Sequence, residues 1–331
     1  MIYRMICFLS VACLITLGST GQVAVAGSIV AWGDDDYGQV SNTPTGTGFT
    51  AIAAGAYTGY ALRTDGSIAP WGWMTYGLVS DTPANPGFIA IAGGFTTTYA
   101  LRANGSIAAW GYEQSNELST APTEIGFTAI SFGTVHGYAL RSDGSIVAWG
   151  NDDGGGRVSD TPTESGFTAI AAGSSNGFAL RADGSIVAWG SDDYGTVSDI
   201  PSGNDFTAIA AGYFTGFALR VDGSIVAWGY ESAGQVSNIP IGTGFTAIAA
   251  GAYTGYALRT DGSIAAWGDD YGGQVSNSPT GNGFTAIAAG DYTAFALRAV
   301  QSPAVPEPST VVLTGLGAIA VVWRQSRRRT A

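Results

Sequence analysis

The sequence repeats one pattern, GSIxxWG, at a nearly constant spacing. Its copies start at Gly27, Gly66, Gly105, Gly144, Gly184, Gly223 and Gly262, a period of 39 residues with one step of 40. The extra residue falls between Asn151 and Gly156, a glycine-rich loop where an insertion costs little. A period of about 40 residues is typical of propeller blades and solenoid repeats, so the repeats build one body rather than unrelated domains.

Each repeat predicts three short strands. In the first complete repeat these are TAIAAG (Thr50 to Gly55), YALR (Tyr60 to Arg63) and SIAPW (Ser67 to Trp71). The side chains of YALR alternate between two faces, as in a strand, and an Asp-Gly or Asn-Gly pair then supplies a tight hairpin turn. We expect TAIAAG to lie innermost because its Ala and Gly residues suit a crowded centre. SIxxW is expected outermost, where an edge strand tolerates Pro70.

The last repeat lacks its third strand. Its FALR segment (Phe295 to Arg298) is followed by AVQSP, whereas the first GSIVAW segment (Gly27 to Trp32) has no inner strands before it. We therefore predict that the N-terminal strand pairs with the last blade and closes a ring, which removes exposed sheet edges. The predicted fold class is all-β, a seven-bladed β-propeller of three-stranded blades over residues 27–300. An open solenoid is the alternative, although neither end supplies its polar cap.

The first 26 residues have the layout of a secretory signal. Arg4 precedes an apolar run, and Ala24-Val25-Ala26 ends the segment, which predicts cleavage by signal peptidase between Ala26 and Gly27. A lipoprotein site at Cys13 is the alternative, which Ser10 disfavours three places before it.

Residues 301–331 predict a linker followed by a sorting signal. Its motif consists of Val305, Pro306, Glu307, Pro308 and Ser309, followed by an apolar segment over 310–323 and a basic tail that contains Arg327, Arg328 and Arg329. This order resembles the PEP-CTERM sorting signal of bacterial envelope proteins, which implies recognition and cleavage by an exosortase. A helix over the apolar segment would be about 21 Å long, against a bilayer core of roughly 30 Å, so we expect a transient inner-membrane anchor. The expected location is the cell envelope or the extracellular space.

The repeat itself resembles a known family. WGDDDYGQV followed by FTAIAAGAYTGYALRTDG resembles the regulator of chromosome condensation repeat, and the short period is most similar to the bacterial propeller that inhibits β-lactamases. The resemblance covers Gly27 to Arg298 and implies a seven-bladed propeller. The family often has His after AGxx, and here only His136 keeps it. No residues that match the family's exchange activity on a small GTPase are identifiable, so that activity is not inferred.

Composition argues against several classes of function. The net charge of −12 disfavours nucleic acid as a partner. The chain has no lysine and one histidine, and both cysteines, Cys7 and Cys13, lie in the predicted signal peptide. These features exclude lysine and thiol chemistry in the mature chain, so we predict that the protein is not an enzyme. No cofactor is expected. Acidic pairs such as Asp152-Asp153 are interpreted as solvated loops, with Ca²⁺ binding as the alternative.

The strand order predicts a binding surface at one end of the ring. An up-down-up meander brings the AYTG-type turns and the WGDDDYG-type loops together, so aromatic and acidic residues gather there. The predicted binding residues are Tyr37, Tyr57, Trp73, Tyr112, His136, Tyr194, Tyr213, Tyr230, Tyr253, Tyr271 and Tyr292, with Tyr76 and Phe95 beside them. The alternative is that these aromatic residues only cover blade edges.

The predicted function is that of an exported, non-enzymatic binding or scaffold protein of the bacterial envelope or extracellular polymer matrix. Its ligand would be an extracellular glycan or protein. One alternative is an inhibitor of an extracellular or periplasmic enzyme. The other is a carboxylate-based polysaccharide hydrolase or lyase.

Overall fold

The computed structural model describes residues 26–299, which form short strands joined by tight turns and loops. The predicted signal peptide, the sorting motif and the apolar segment over 310–323 lie outside the described residues. Within residues 26–299, the helical elements are two single 3-10 turns, Thr75–Gly77 and Asp193–Gly195. No helix in this range has the length and apolar character needed to cross a membrane.

The strands fall into three sets that repeat around the molecule. The inner strands are β2 (Phe49–Ala54), β5 (Phe88–Gly93), β8 (Phe127–Phe132), β11 (Phe167–Ala172), β14 (Phe206–Ala211), β17 (Phe245–Ala250) and β20 (Phe284–Ala289). The middle strands are β3 (Thr58–Arg63), β6 (Thr97–Arg102), β9 (His136–Arg141), β12 (Asn176–Arg181), β15 (Thr215–Arg220), β18 (Thr254–Arg259) and β21 (Thr293–Ala299). The outer strands are β4 (Ile68–Gly72), β7 (Ile107–Gly111), β10 (Ile146–Gly150), β13 (Ile186–Gly190), β16 (Ile225–Gly229), β19 (Ile264–Gly268) and β1 (Gly27–Gly33).

One inner, one middle and one outer strand pair antiparallel to form a blade. Blade 1 is β2-β3-β4, the next five blades follow in chain order, and blade 7 is β20-β21-β1. Each inner strand contacts the inner strand of the next blade, and β2 contacts β20, so the ring is closed. The predicted seven-bladed propeller and its strand order are confirmed, and the open solenoid is excluded.

The closing pair repeats the register of the covalent hairpins. In blade 7, Ile29 lies opposite Leu297 and Gly33 lies opposite Thr293. In blade 6, Ile264 lies opposite Leu258 and Gly268 lies opposite Thr254. The N-terminal strand therefore occupies the same position as an ordinary outer strand, as the sequence predicts.

Neighbouring blades are joined at the turns between middle and outer strands. The backbone N–H of Phe88 donates to the carbonyl of Gly66, 3.0 Å away, and equivalent bonds recur at the other covalent hairpins. At the closure, Gly27 pairs with Phe49, so blades 7 and 1 form one continuous six-stranded sheet. Gly66 has a φ of 76°, a left-handed conformation that glycine adopts without steric cost.

Tryptophans of the outer strands fill the space between blades. Trp71 is 4% exposed and packs over Gly59, where an added Cβ would lie 2.2 Å from the indole. Its Nε1 donates to the carbonyl of Gln39, 2.8 Å away, in the loop that follows the preceding outer strand. Burial of each such indole contributes roughly 1.5–3 kcal/mol, so these contacts are a large share of the core.

Candidate binding surface

Two sets of connections meet at one end of the propeller, which we call the aromatic end. They are the turns between inner and middle strands and the loops that follow the outer strands. Backbone hydrogen bonds join the two sets, as from Trp73 N–H to the carbonyl of Tyr57 (3.0 Å) and from Asp34 N–H to the carbonyl of Tyr292 (2.9 Å). The opposite end carries the turns between middle and outer strands. Because an arginine ends almost every middle strand there, we call it the arginine end.

Aromatic side chains at the aromatic end form two separate arcs. The first arc consists of Tyr37, Tyr57, Trp73, Tyr76, Phe95 and Tyr112, with neighbouring ring centroids 5.0 to 5.6 Å apart. The second arc consists of Tyr194, Tyr213, Phe214, Tyr230 and Tyr253, with centroids 4.6 to 6.4 Å apart. Blades 3 and 4 separate the two arcs, because Val135 and Ser175 occupy the turn position that holds a tyrosine in blades 1 and 6. Phe214 was missed in the sequence, although it follows Tyr213 directly.

The remaining predicted residues have different environments. Tyr271 is 93% exposed on its loop, and Tyr292 is half-buried in the blade 7 turn. His136 is fully buried at the start of β9 and packs edge-on against Tyr138. Burial lowers the pKa of His136 to about 3, so the imidazole is neutral at ordinary pH. A side chain with no exposed surface offers no contact to a ligand, so we leave His136 out of the candidate surface.

A carboxylate sits at the mouth of the central channel. At this end the channel holds a cavity of about 60 Å³ that is lined by Ala and Gly residues from all seven blades, by Phe95, Phe132 and Tyr213, and by Asp291. The hydroxyl of Tyr213 on blade 5 donates to Oδ2 of Asp291 on blade 7, 2.5 Å away. Burial raises the pKa of Asp291 to about 6, with the Tyr213 hydrogen bond acting in the opposite direction.

Asp291 is not among the predicted binding residues, although one signal in the sequence points to it. It follows the glycine that ends the inner-strand segment, and this position faces the channel in every blade. The equivalent residues are Ala56, Phe95, Thr134, Ser174, Tyr213 and Ala252. Asp291 is thus the single carboxylate among seven equivalent positions. Its charge also raises the pKa of the half-buried Tyr57, after the larger effect of burial, so the channel mouth is electronegative.

Carboxylates in the acidic loops have a structural role. Asp35 Oδ1 accepts hydrogen bonds from the backbone N–H groups of Val40 (2.8 Å) and Ser41 (2.9 Å). Asp152, Asp192, Asp270 and Glu231 repeat this arrangement in their own loops. Hydrogen bonds from the backbone hold the pKa of Asp192 below its ordinary range, so the carboxylate stays ionised. One acidic side chain in each of these loops therefore orders the loop itself.

Charge is distributed unevenly between the two ends. The loops and turns of the aromatic end carry Asp34, Asp35, Asp36, Glu113, Glu117, Asp152, Asp153, Asp192, Asp193, Glu231, Asp269, Asp270 and Asp291. Of the arginines within 26–299, Arg157 alone lies in these loops, and it faces Asp153 at 3.8 Å. In the described part of the chain, no group of three or more His, Cys, Asp or Glu residues is arranged to hold a metal ion.

Comparisons with known proteins agree with this architecture. Residues 167–196, 206–235 and 245–274 match the Regulator of chromosome condensation (RCC1) repeat, and residues 304–329 match the PEP-CTERM protein-sorting motif. The search of curated proteins returned no match.

Solved structures share the fold at low sequence identity. Prp20p from Saccharomyces cerevisiae is 18% identical with a TM-score of 0.67, over 85% of this chain and 93% of that chain. The same yeast protein bound to Kap60 is 17% identical with a TM-score of 0.69, over 87% and 95%. The ectodomain of the Physcomitrella patens receptor kinase CR4 is 23% identical with a TM-score of 0.62, over 72% and 66%. The chain is therefore a closed seven-bladed β-propeller that matches the regulator of chromosome condensation repeat within residues 167–274, and its PEP-CTERM sorting motif indicates an exported protein.

Proposed function

We propose that this protein is a non-enzymatic binding protein of the envelope or extracellular matrix, and that its aromatic end engages an extracellular protein with a basic surface. The observation that carries the proposal is the combination of exposed aromatic rings with many carboxylates and a single arginine at that end. Asp291 and Tyr213 lie at its centre. An acidic surface attracts basic partners over about 10 Å and disfavours acidic ones.

The aromatic arcs suit a protein interface. Tyrosine and tryptophan side chains supply a large contact area with few rotatable bonds, and they are enriched where binding energy concentrates. Tyr76 and Tyr112 stack with centroids 5.0 Å apart while 42% and 52% exposed, so they are held in place but still accessible. Proteins of this fold bind proteins: the yeast relative is described with its binding to Gsp1p, histones and Kap60.

Charge favours a protein over a neutral glycan as the ligand. Aromatic platforms alone would serve a sugar ring, but a neutral glycan gains nothing from the surrounding carboxylates. Those carboxylates also support catalysis poorly, because Asp35, Asp192 and their equivalents are engaged by backbone N–H groups. The enzyme-inhibitor alternative uses the same surface and differs in the identity of the partner. The sorting motif implies processing by an exosortase.

Site-specific photocrosslinking in the producing cells tests the proposal. A photoreactive phenylalanine analogue replaces Tyr76 at the aromatic end or, as the matched control, Val221, which is 57% exposed at the arginine end. We expect a crosslink to one basic protein, identified by mass spectrometry, from position 76 and not from position 221. If the captured protein is an enzyme that the purified chain inhibits, the inhibitor alternative is supported.

Purified full-length chain and the captured partner then give a quantitative test. The variant Tyr76→Ala/Tyr112→Ala/Tyr194→Ala should weaken binding at least about tenfold, since each is an exposed aromatic contact. The control Ile125→Ala/Val221→Ala/Ile241→Ala removes exposed apolar side chains outside the aromatic arcs and should bind normally. Equal binding by both variants, or a glycan array signal that the tyrosine variant alone loses, would refute the proposed protein ligand.

A further inference from the structure

The arginine end carries a ring of guanidinium groups held by aromatic stacking. Each middle strand contributes one arginine, and its guanidinium lies over a phenylalanine of the inner strand of the same blade. The pairs are Arg63–Phe49, Arg102–Phe88, Arg141–Phe127, Arg181–Phe167, Arg220–Phe206, Arg259–Phe245 and Arg298–Phe284, at 4.1 to 5.8 Å. This cation–π contact holds each guanidinium against a ring, and the N–H groups that remain exposed are able to donate to an acceptor.

Carboxylates divide this ring into two halves. Arg141, Arg181 and Arg220 on blades 3 to 5 pair with Glu124 (2.6 Å), Glu164 (2.8 Å) and Asp205 (2.6 Å). The other four arginines, on consecutive blades, form no ion pair with any described residue. We call Arg259, Arg298, Arg63 and Arg102 the arginine crescent.

The sequence explains why the crescent is unpaired. The positions equivalent to Glu124 and Glu164 hold glycine or asparagine in the four crescent blades, at residues 46, 85, 242 and 281. The position equivalent to Asp205 holds glycine in the same blades, at residues 48, 87, 244 and 283. The turn aspartates are also sparser there: Asp65 and Asp261 remain, blade 2 has Asn104, and blade 7 has no covalent turn. The crescent is therefore net positive, whereas the arginine end of blades 3 to 5 is net negative.

The chain leaves the propeller beside the crescent. Both Gly27 and Ala299 lie at the arginine end, because β1 starts there and β21 ends there with Gly27 opposite Ala299. The sorting motif starts at residue 304, and the apolar segment starts at residue 310. Eleven residues span at most about 40 Å, so an anchor that began at residue 310 would start no farther than that from Ala299, next to Arg298 of the crescent.

We propose that the arginine crescent binds the phosphate groups of anionic phospholipids while the chain is anchored and awaits processing. The edge of a guanidinium donates two parallel hydrogen bonds to a pair of phosphate oxygens, and the contact with phenylalanine means that less side-chain entropy is lost on binding. The tether raises the local concentration of lipid, so weak individual contacts suffice. The acidic aromatic end is repelled by the same surface and points away from it.

Fluorescence energy transfer to a lipid dye tests this with the full-length chain in nanodiscs. In a Cys7→Ser/Cys13→Ser background, a donor is placed through Thr260→Cys beside Arg259 or through Tyr271→Cys at the aromatic end. In phosphatidylcholine containing phosphatidylglycerol, we expect transfer from position 260 to exceed transfer from position 271. In phosphatidylcholine alone, or in about 0.5 M salt, this difference should shrink.

Matched arginine variants decide the outcome. The crescent variant Arg63→Gln/Arg102→Gln/Arg259→Gln should lower the docked-to-undocked ratio at least about tenfold. The control Arg141→Gln/Arg181→Gln/Arg220→Gln loses the same number of stacked arginines and should stay docked. Equal loss in both variants, or equal docking on neutral lipid, would overturn the proposal. Displacement by inorganic phosphate at constant ionic strength would assign the crescent to a free anion instead. Neither readout depends on the partner of the aromatic end.

Discussion

Trp32 donates a hydrogen bond from Nε1 to the carbonyl oxygen of Gln274, 2.9 Å away, although 242 residues separate them in the chain. Within the ring this contact is local. Trp71 bonds to Gln39 and Trp267 bonds to Gln235 in the same way, each at a separation of 32 residues. The closing blade therefore uses the same side-chain contact as the covalent blades, in addition to the same strand register.

Removal of this indole donor should weaken the closure. We expect Trp32→Phe to lower the free energy of unfolding by about 1 kcal/mol, because the Gln274 carbonyl keeps the hydrogen bond from the Tyr256 hydroxyl, 3.2 Å away. Trp267→Phe should cost more, about 1–3 kcal/mol, because it removes the indole donor of the Gln235 carbonyl. Trp149 lacks this bond, since its Nε1 has no hydrogen-bond partner, so Trp149→Phe should cost less. Urea unfolding of the three variants measures the difference. If Trp32→Phe has the same free energy of unfolding as the wild type, the Trp32–Gln274 hydrogen bond does not stabilise the closure.

Proline substitutions in β1 should have different effects on the two sides of the closing strand, depending on whether the lost N–H faces β21. Pro70 occupies β4 at the position that corresponds to Ala31, so the N–H there faces away from the partner strand. We expect Ala31→Pro to be tolerated. Val30→Pro removes an N–H that faces β21 and should cost about 3 kcal/mol. Thermal unfolding of the two variants is the measurement, and equal melting temperatures would argue against the pairing of β1 with β21.

Asp291 should make stability depend on pH near neutrality. Its pKa is about 6 in the folded chain against an ordinary value of 3.8, so the folded state binds more protons between these values. Stability from this group is therefore full below about pH 4 and is lost as pH rises through about 6. Asp291→Asn keeps an acceptor for Tyr213 and removes the charge. It should stabilise the chain by about 1–2 kcal/mol at pH 7.5 and have little effect at pH 4.

Melting curves of wild type and Asp291→Asn across this pH range test that expectation. The difference between the two chains is the relevant quantity, because other carboxylates titrate in both. A difference that does not change with pH would mean that Asp291 is well solvated when folded.

Adjacent acidic residues in one loop should behave differently. Asp35 accepts two backbone hydrogen bonds, whereas Asp36 is exposed and accepts none from the described residues. We expect Asp35→Ala to cost about 1 kcal/mol and Asp36→Ala to have almost no effect. Millimolar Ca²⁺ should leave the melting temperature of the wild type unchanged. A clear upward shift with Ca²⁺ would revive the metal-binding alternative.

Much of the architecture follows from the period and the turn residues. Six Asp-Gly or Asn-Gly hairpins and one missing strand predict both the blade count and the closure of Gly27–Gly33 on β21. The inner strands begin at residues such as Phe49, one position earlier than predicted, because a bulge at Thr50 shifts the register. The bulge depends on pairing with the middle strand, which a periodic pattern does not encode.

The candidate surfaces were less accessible to sequence reasoning. The tyrosines could be assigned to one end because strand direction alternates, but the break between the two arcs depends on which blades are neighbours. Asp291 meets Tyr213 across two blades, a contact that only ring geometry creates. The burial of His136 could not be predicted, because a period-2 pattern does not show how far a strand's first residue is buried. The arginine crescent is likewise continuous only because closure places Arg298 and Arg63 on adjacent blades.

The strand that is synthesised first is the outer strand of blade 7. The fold of an exported chain is therefore complete only after the last middle strand has also been exported. Gly27–Gly33 pairs with β2 only at Gly27, and its full-length partner is Thr293–Ala299, which ends five residues ahead of the sorting motif. A truncated chain would keep an unpaired edge open to proteases. Only a chain with all seven blades pairs both long edges of the closing blade.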